Sequence, residues 1–156
     1  MNNTLGMIGL GNAGSALASA LSGRIALVGY DASPARREVV SKLDLLWADS
    51  VAEVGDKADI VLLSLPRPEI SRAVVGELLA LENRPSTVIE TSTITPKTAR
   101  ELGAACAAQG IAFVDAAIGG GVQSMADGKC TFLVGGDAAS FAKAKPVLDL
   151  LAEVIH

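Results

Sequence analysis

A glycine-rich turn between an apolar run and a helical segment constrains this chain more than any other feature. Thr4-Leu5-Gly6-Met7-Ile8 reads as a short buried strand, and the segment from Ser15 to Leu21 reads as helix. Between them, Gly9-Leu10-Gly11-Asn12-Ala13-Gly14 has the glycine spacing of a dinucleotide-binding turn. In such a turn the first glycine permits the tight bend, the second lets backbone approach a pyrophosphate, and the third lets helix and strand pack closely. Free N–H groups at the helix start, together with its positive dipole end, suit a phosphate anion.

A glycine pattern alone is weak, because glycine turns arise by chance. The next apolar run, Ile25 to Tyr30, strengthens it by ending in Asp31. An acid about 20 residues past the glycines is placed to bind a ribose 2′-hydroxyl. The plainer reading of Asp31 is a helix cap before Ser33-Pro34; the spacing favours the nucleotide. A carboxylate there repels a 2′-phosphate, so NAD is expected over NADP. Arg36 and Arg37 keep NADP open, since either could fold onto a phosphate; otherwise they lie on a solvated helix face.

The 156 residues make one domain with room for a proper core. Half are hydrophobic yet only 3% are aromatic, so Ala, Val, Leu and Ile must fill that core. Continuous aliphatic runs of this kind suit a parallel sheet buried on both faces. Net charge is −4 with no basic cluster, which argues against a nucleic-acid partner. Cys106 and Cys130 fall in no metal-ligand pattern and read as buried free thiols. The single histidine, His156, excludes a histidine-based metal site within the chain. With no spanning apolar stretch and no signal-peptide pattern, no membrane partner is expected, and a cytoplasmic setting fits.

Strand and helix signals alternate along the chain. A helix is expected from Pro34, capped by Ser33, to about Leu43, then a weak strand at 45–48 and a short helix from Ser50. Asp59 to Leu65 is the clearest buried strand, ended by Pro66, with a helix from about Glu69 to Leu81. Thr87 to Glu90 is the next strand. Thr95-Pro96 signals a helix start, and Gly110 ends that helix after Gln109. Ile111 to Asp115 reads as strand, Ala116 to Lys129 as loop, and Thr131 to Val134 as strand. Two helical pieces around Pro146 follow, with Val154-Ile155 starting a last strand. The alternation implies a Rossmann-type α/β fold: a doubly wound, mostly parallel sheet with helices on both faces. Ligand then lies beyond the carboxyl ends of the strands, where the glycine turn, Asp31, Leu65-Pro66, Ser92-Thr93 and the glycines after Asp115 all fall.

Further blocks accompany the glycine turn. They are Ser64-Leu65-Pro66, Glu90 to Pro96 (Glu-Thr-Ser-Thr-Ile-Thr-Pro), Phe113 to Val122 with its triple glycine, and Phe132 to Gly136. Of these, the Ser92-Thr93-Ile94-Thr95-Pro96 block with the later Asp115 to Gly121 block is much more specific than the turn itself. In the order of all these blocks the chain resembles the cofactor-binding domain of the β-hydroxyacid dehydrogenases. That family includes 3-hydroxyisobutyrate dehydrogenase, tartronate semialdehyde reductase and, more distantly, 6-phosphogluconate dehydrogenase. The resemblance covers essentially the whole chain and implies an NAD(P)-dependent oxidoreductase acting on a small hydroxy acid. It implies that Leu65 and Pro66 pass beside the cofactor and that Thr93 sits near the nicotinamide ribose. Ser92, Gly119, Gly120 and Gly121 are assigned to substrate, with the Gly120 and Gly121 amides on its carboxylate.

Two residues depart from the family pattern. Gly119 stands where a carboxylate-binding Ser is usual, and Ala117 where Pro is usual. The resemblance also implies a long helix carrying a catalytic lysine, followed by a helical second domain, both beyond His156. None of Lys42, Lys57, Lys97, Lys129, Lys143 and Lys145 lies in the lysine motif, and all six read as surface. Residues 1–156 are therefore expected to be the dinucleotide-binding domain, competent to bind cofactor but inactive alone. The full-length protein is expected to be a homo-oligomer. A non-catalytic NAD(P)-binding sensor or scaffold is the alternative.

Overall fold

The computed structural model describes residues 3–156. Eight strands among them form one sheet in the order β3-β2-β1-β4-β5-β6-β7-β8. The amino-terminal half comprises β1 (Thr4–Ile8), α1 (Asn12–Leu21), β2 (Ala26–Tyr30), α2 (Arg36–Val39), β3 (Leu46–Trp47), α3 (Val51–Lys57), β4 (Ile60–Leu63) and α4 (Pro68–Ala80). The remainder comprises β5 (Thr87–Glu90), α5 (Pro96–Ala107), β6 (Ala112–Gly119), α6 (Val122–Ala126), β7 (Cys130–Gly135), α7 (Ala138–Leu151) and β8 (Ala152–Ile155). All pairings are parallel except β6 with β7. This is the Rossmann-type architecture expected from the alternation.

The strands are aliphatic because both faces are covered. Leu5, Met7 and Leu62 turn into a cluster closed by α1, α6 and α7, through Leu17, Met125 and Leu148. Ile8, Val61 and Leu63 turn the other way, onto Val54 of α3, Val75 of α4 and Leu102 of α5. Cys106 and Cys130 are buried free thiols. No helix among the described residues is long and apolar enough to cross a membrane.

Local signals act where expected. Ser50 accepts the Glu53 amide at 3.1 Å while Glu53 accepts the Asp49 amide at 2.8 Å, so side chain and backbone satisfy each other across the start of α3. Thr95 caps α5 by accepting the Thr98 amide at 3.1 Å.

Three expectations are corrected. The helix expected from Pro34 to Leu43 is only the four residues of α2, entered through the tight Ser33 O to Arg36 N and Pro34 O to Arg37 N turns. Ser33 does not cap it, because the helix starts later, behind Ala35, and no side chain accepts its first amides. The Ser33 amide itself donates to Asp31 Oδ1 at 2.8 Å. The loop expected from Ala116 to Lys129 instead continues β6 to Gly119 and then forms α6. Pairing with β7, from Asp115 opposite Gly135 to Gly119 opposite Thr131, supplies the hydrogen bonds that keep Ala116–Gly119 extended. Finally, α7 runs unbroken through Pro146. Pro146 and Ala142, whose carbonyl loses its usual partner, are both exposed, so water can meet that carbonyl.

Candidate functional site

The carboxyl ends of β1, β2 and β4 converge on a cleft of about 430 Å³. Its lining includes Gly9, Gly11, Asn12, Ala13, Asp31, Leu65 and Pro66. The three glycines of the turn have separable duties. Gly9 has φ +94°, and a methyl group there would collide with the Ser64 carbonyl oxygen. One at Gly14 would collide with the Gly9 carbonyl, so helix and turn meet there without a side chain between them. At Gly11 nothing lies within 4 Å of where a Cβ would stand. The fold leaves that space open, and it faces the cleft.

Gly11 precedes α1, whose first bond is Ser15 N to Gly11 O at 2.9 Å. The Asn12 and Ala13 amides thus come before any intrahelical partner and are available to an anion. Leu10 differs: its side chain is buried, and both of its backbone groups are engaged. Its amide donates to Asp31 Oδ2 at 2.7 Å, and its carbonyl accepts from Arg36 Nε at 2.6 Å.

Asp31 therefore holds the turn as well as facing the cleft. Each of its oxygens accepts one backbone N–H, from Leu10 and Ser33. A carboxylate has about four acceptor sites, so capacity for two ribose hydroxyls remains. The open space at Gly11, the amides of Asn12 and Ala13 and the spare acceptors of Asp31 fit a dinucleotide.

Arg36 is anchored on Leu10 and reaches the Ser15 hydroxyl at 3.4 Å, while Arg37 lies over the Trp47 ring at 6.0 Å. Arg36 thereby lines the cleft as a fixed part of its wall. Ile70 and Val74, one turn apart on α4, add an apolar wall. Sequence reasoning missed both, although their i, i+4 spacing behind Pro68 was a usable signal.

Thr93 and the Gly119–Gly121 turn do not line this cleft. Thr93 is exposed at the end of β5, one strand further along the sheet. Beyond the last β5–β6 pair, Glu90 with Asp115, β6 continues four residues, or roughly 13 Å, to Gly119, the first of the exposed glycines. Gly120 has φ +115°. Ser92 is buried, and its hydroxyl accepts the Leu65 amide at 2.7 Å. Three of the lysines pair with acids on their own helices: Lys57 with Glu53, Lys97 with Glu101 and Lys145 with Asp149.

Residues 4–156 match the family model of the NAD-binding domain of 6-phosphogluconate dehydrogenase. A probable 3-hydroxyisobutyrate dehydrogenase of Mycobacterium tuberculosis is 32% identical over 155 residues, covering 98% of this chain and 53% of that protein. The solved structure of M. tuberculosis 3-hydroxyisobutyrate dehydrogenase with L-serine superposes with a TM-score of 0.93 at 32% identity, over 100% of this chain and 54% of that one. An imine reductase variant from Myxococcus stipitatus in complex with NAD+ gives a TM-score of 0.86 at 27% identity, again over 100% of this chain and 54% of that one. The chain spans about half the length of the relatives it matches.

Proposed function

The chain belongs to the family of 6-phosphogluconate dehydrogenase NAD-binding domains, and on that premise we propose that it is the cofactor-holding part of an NAD-preferring 3-hydroxyacid dehydrogenase. The observation that carries this reading is the cleft itself. It brings a glycine turn with open space at Gly11, the Asp31 carboxylate and the Leu65-Pro66 segment to one sheet edge.

When bound, NAD supplies the hydride chemistry. The residues of this chain bind and orient it. The Asn12 and Ala13 amides receive the pyrophosphate, and Asp31 takes the ribose hydroxyls. Leu65 and Pro66 form a stiff floor, since proline fixes its own φ and keeps the preceding residue extended. Thr93, at the neighbouring strand end, meets the nicotinamide ribose.

The exposed Gly119–Gly121 turn stands further along the same edge, and we assign its amides to a small substrate carboxylate. Glycines let backbone approach an anion closely. The proton on the substrate oxygen falls to a lysine in the part of the protein that the longer relatives possess, so this domain alone is inactive. The complete protein works as a cytoplasmic homo-oligomer on this reading. Likeness to 3-hydroxyisobutyrate dehydrogenases at 32% identity supports the substrate class.

Assaying the complete protein for NAD+ reduction with 3-hydroxyisobutyrate, L-serine and 6-phosphogluconate tests the proposal. Turnover of a small hydroxy acid is expected. Cofactor binding with no turnover of any acid would instead favour a sensor or scaffold.

A further inference from the structure

Glu90 closes β5 with no exposed surface at all, and Ser71, on α4, is equally inaccessible. Glu90 Oε1 accepts the Ser92 amide at 2.8 Å. The Ser92 hydroxyl lies within reach of the same carboxyl, and its oxygen accepts the Leu65 amide at 2.7 Å. Glu90 Oε2 and Ser71 Oγ each lack a bond of good geometry, although the Ser71 hydroxyl is near enough to favour the carboxylate form. No cation pairs with Glu90 among the described residues. Its register partner on β6 is another acid, Asp115, and its partner on β4 is Leu63.

An acid in this position is costly as a charge and inexpensive as a proton carrier. Burial, the largest influence, pushes the Glu90 carboxyl above its ordinary value, and Asp115 beside it acts in the same direction. A single proton on Oε2, donated to Ser71 Oγ, would satisfy both orphaned atoms, leaving Oε1 to accept from Ser92. Glu90 and Ser92 stand behind the cofactor cleft, and the two segments they reach border it. Leu65 lies in its floor, and Ser71 sits between its wall residues Ile70 and Val74.

We propose that Glu90 is a positioning residue of the cofactor cleft, holding Ser92, which in turn fixes the Leu65 amide and the Leu65-Pro66 floor. This rests on the NAD-binding reading above. It makes Ser92 a strut behind the cleft, acting on the cofactor through Leu65.

The test combines NADH affinity with the Leu65 amide resonance in Glu90→Gln, Glu90→Ala, Ser92→Ala and the Glu90→Ala/Ser92→Ala double variant. A net hydrogen bond is worth about 0.5–1.5 kcal/mol, so Ser92→Ala and Glu90→Ala should each raise the NADH Kd about three- to tenfold. The double variant should lose no more than the larger single loss, because the two residues act in series. Glu90→Gln, which keeps an acceptor for Ser92 and a donor for Ser71, should bind within about twofold of the parent.

The Leu65 amide should shift in Ser92→Ala, whether or not cofactor is present. Additive losses, a Glu90→Gln variant as weak as Glu90→Ala, or an unmoved Leu65 amide would overturn the proposal. If Glu90→Ala does not fold, Glu90→Gln and Ser92→Ala still decide. Failure of the unaltered chain to bind NADH would overturn the cofactor reading instead, with the Leu65 resonance still reporting on the strut.

Discussion

Asp31 Oδ2 accepts the Leu10 amide at 2.7 Å, across 21 residues of sequence. The acid assigned to the ribose is thus also a structural member of the glycine turn. Arg36 grips the other end of Leu10 through its carbonyl, so one residue of the turn is clamped from both sides.

Replacing Asp31 should consequently have two effects. Asp31→Ala leaves the Leu10 and Ser33 amides without their partner and should cost about 1–2 kcal/mol in urea unfolding. It should also weaken NADH more than NADPH, because only the ribose without a 2′-phosphate uses the lost acceptors. Equal losses for the two cofactors would remove Asp31 from the ribose and leave it the turn.

The glycines separate folding from binding. Gly11→Ala places a methyl group in open space and should change stability by less than about 0.5 kcal/mol, while obstructing the pyrophosphate. Gly9→Ala combines a positive φ with a collision against backbone and should cost more than about 2 kcal/mol. Urea unfolding beside NADH titration distinguishes the two. Comparable destabilisation by both would contradict the division of duties.

Much of this architecture was legible in the sequence, because the strands are aliphatic and α3 and α5 start at recognisable caps, Ser50 and Thr95. The continuation of β6 was not, since it depends on pairing with a strand that begins at Cys130 and the triple glycine mimics a loop. The inward alternation of Ala116 and Ile118 was the available clue. At the site, the glycine turn, Asp31 and Leu65-Pro66 followed from the strand-end rule. The Arg36–Leu10 and Ser92–Leu65 contacts did not, because they join segments 26 and 27 residues apart and no local pattern encodes them.

Cysteine chemistry should report global opening. Burial pushes the Cys106 thiol up to about 11 and raises Cys130 as well. At neutral pH a disulfide-exchange reagent should label both only as the chain unfolds. Fast labelling of either thiol in the native state would show local opening of α5 or β7.

Acid should weaken α7 at a defined place. Asp137 accepts the Ser140 amide and hydroxyl, each at 2.8 Å, and these bonds hold its carboxyl below the ordinary value of 3.8. A depressed carboxyl contributes its full stability above 3.8 and loses it as pH falls through the lower folded value. The Tm gap between the parent chain and Asp137→Ala should be constant from about pH 5 to 8 and close below 3.8. A gap unchanged at low pH would show that the charge is immaterial to the cap.

The central claim is that the cleft around Gly11 and Asp31 binds NAD in preference to NADP. Calorimetric titration of this chain with NADH and NADPH side by side tests it most directly. Saturable NADH binding with much weaker NADPH binding is the predicted result. Tighter NADPH binding would contradict the role of Asp31, and binding of neither would contradict the cleft as a preformed dinucleotide site.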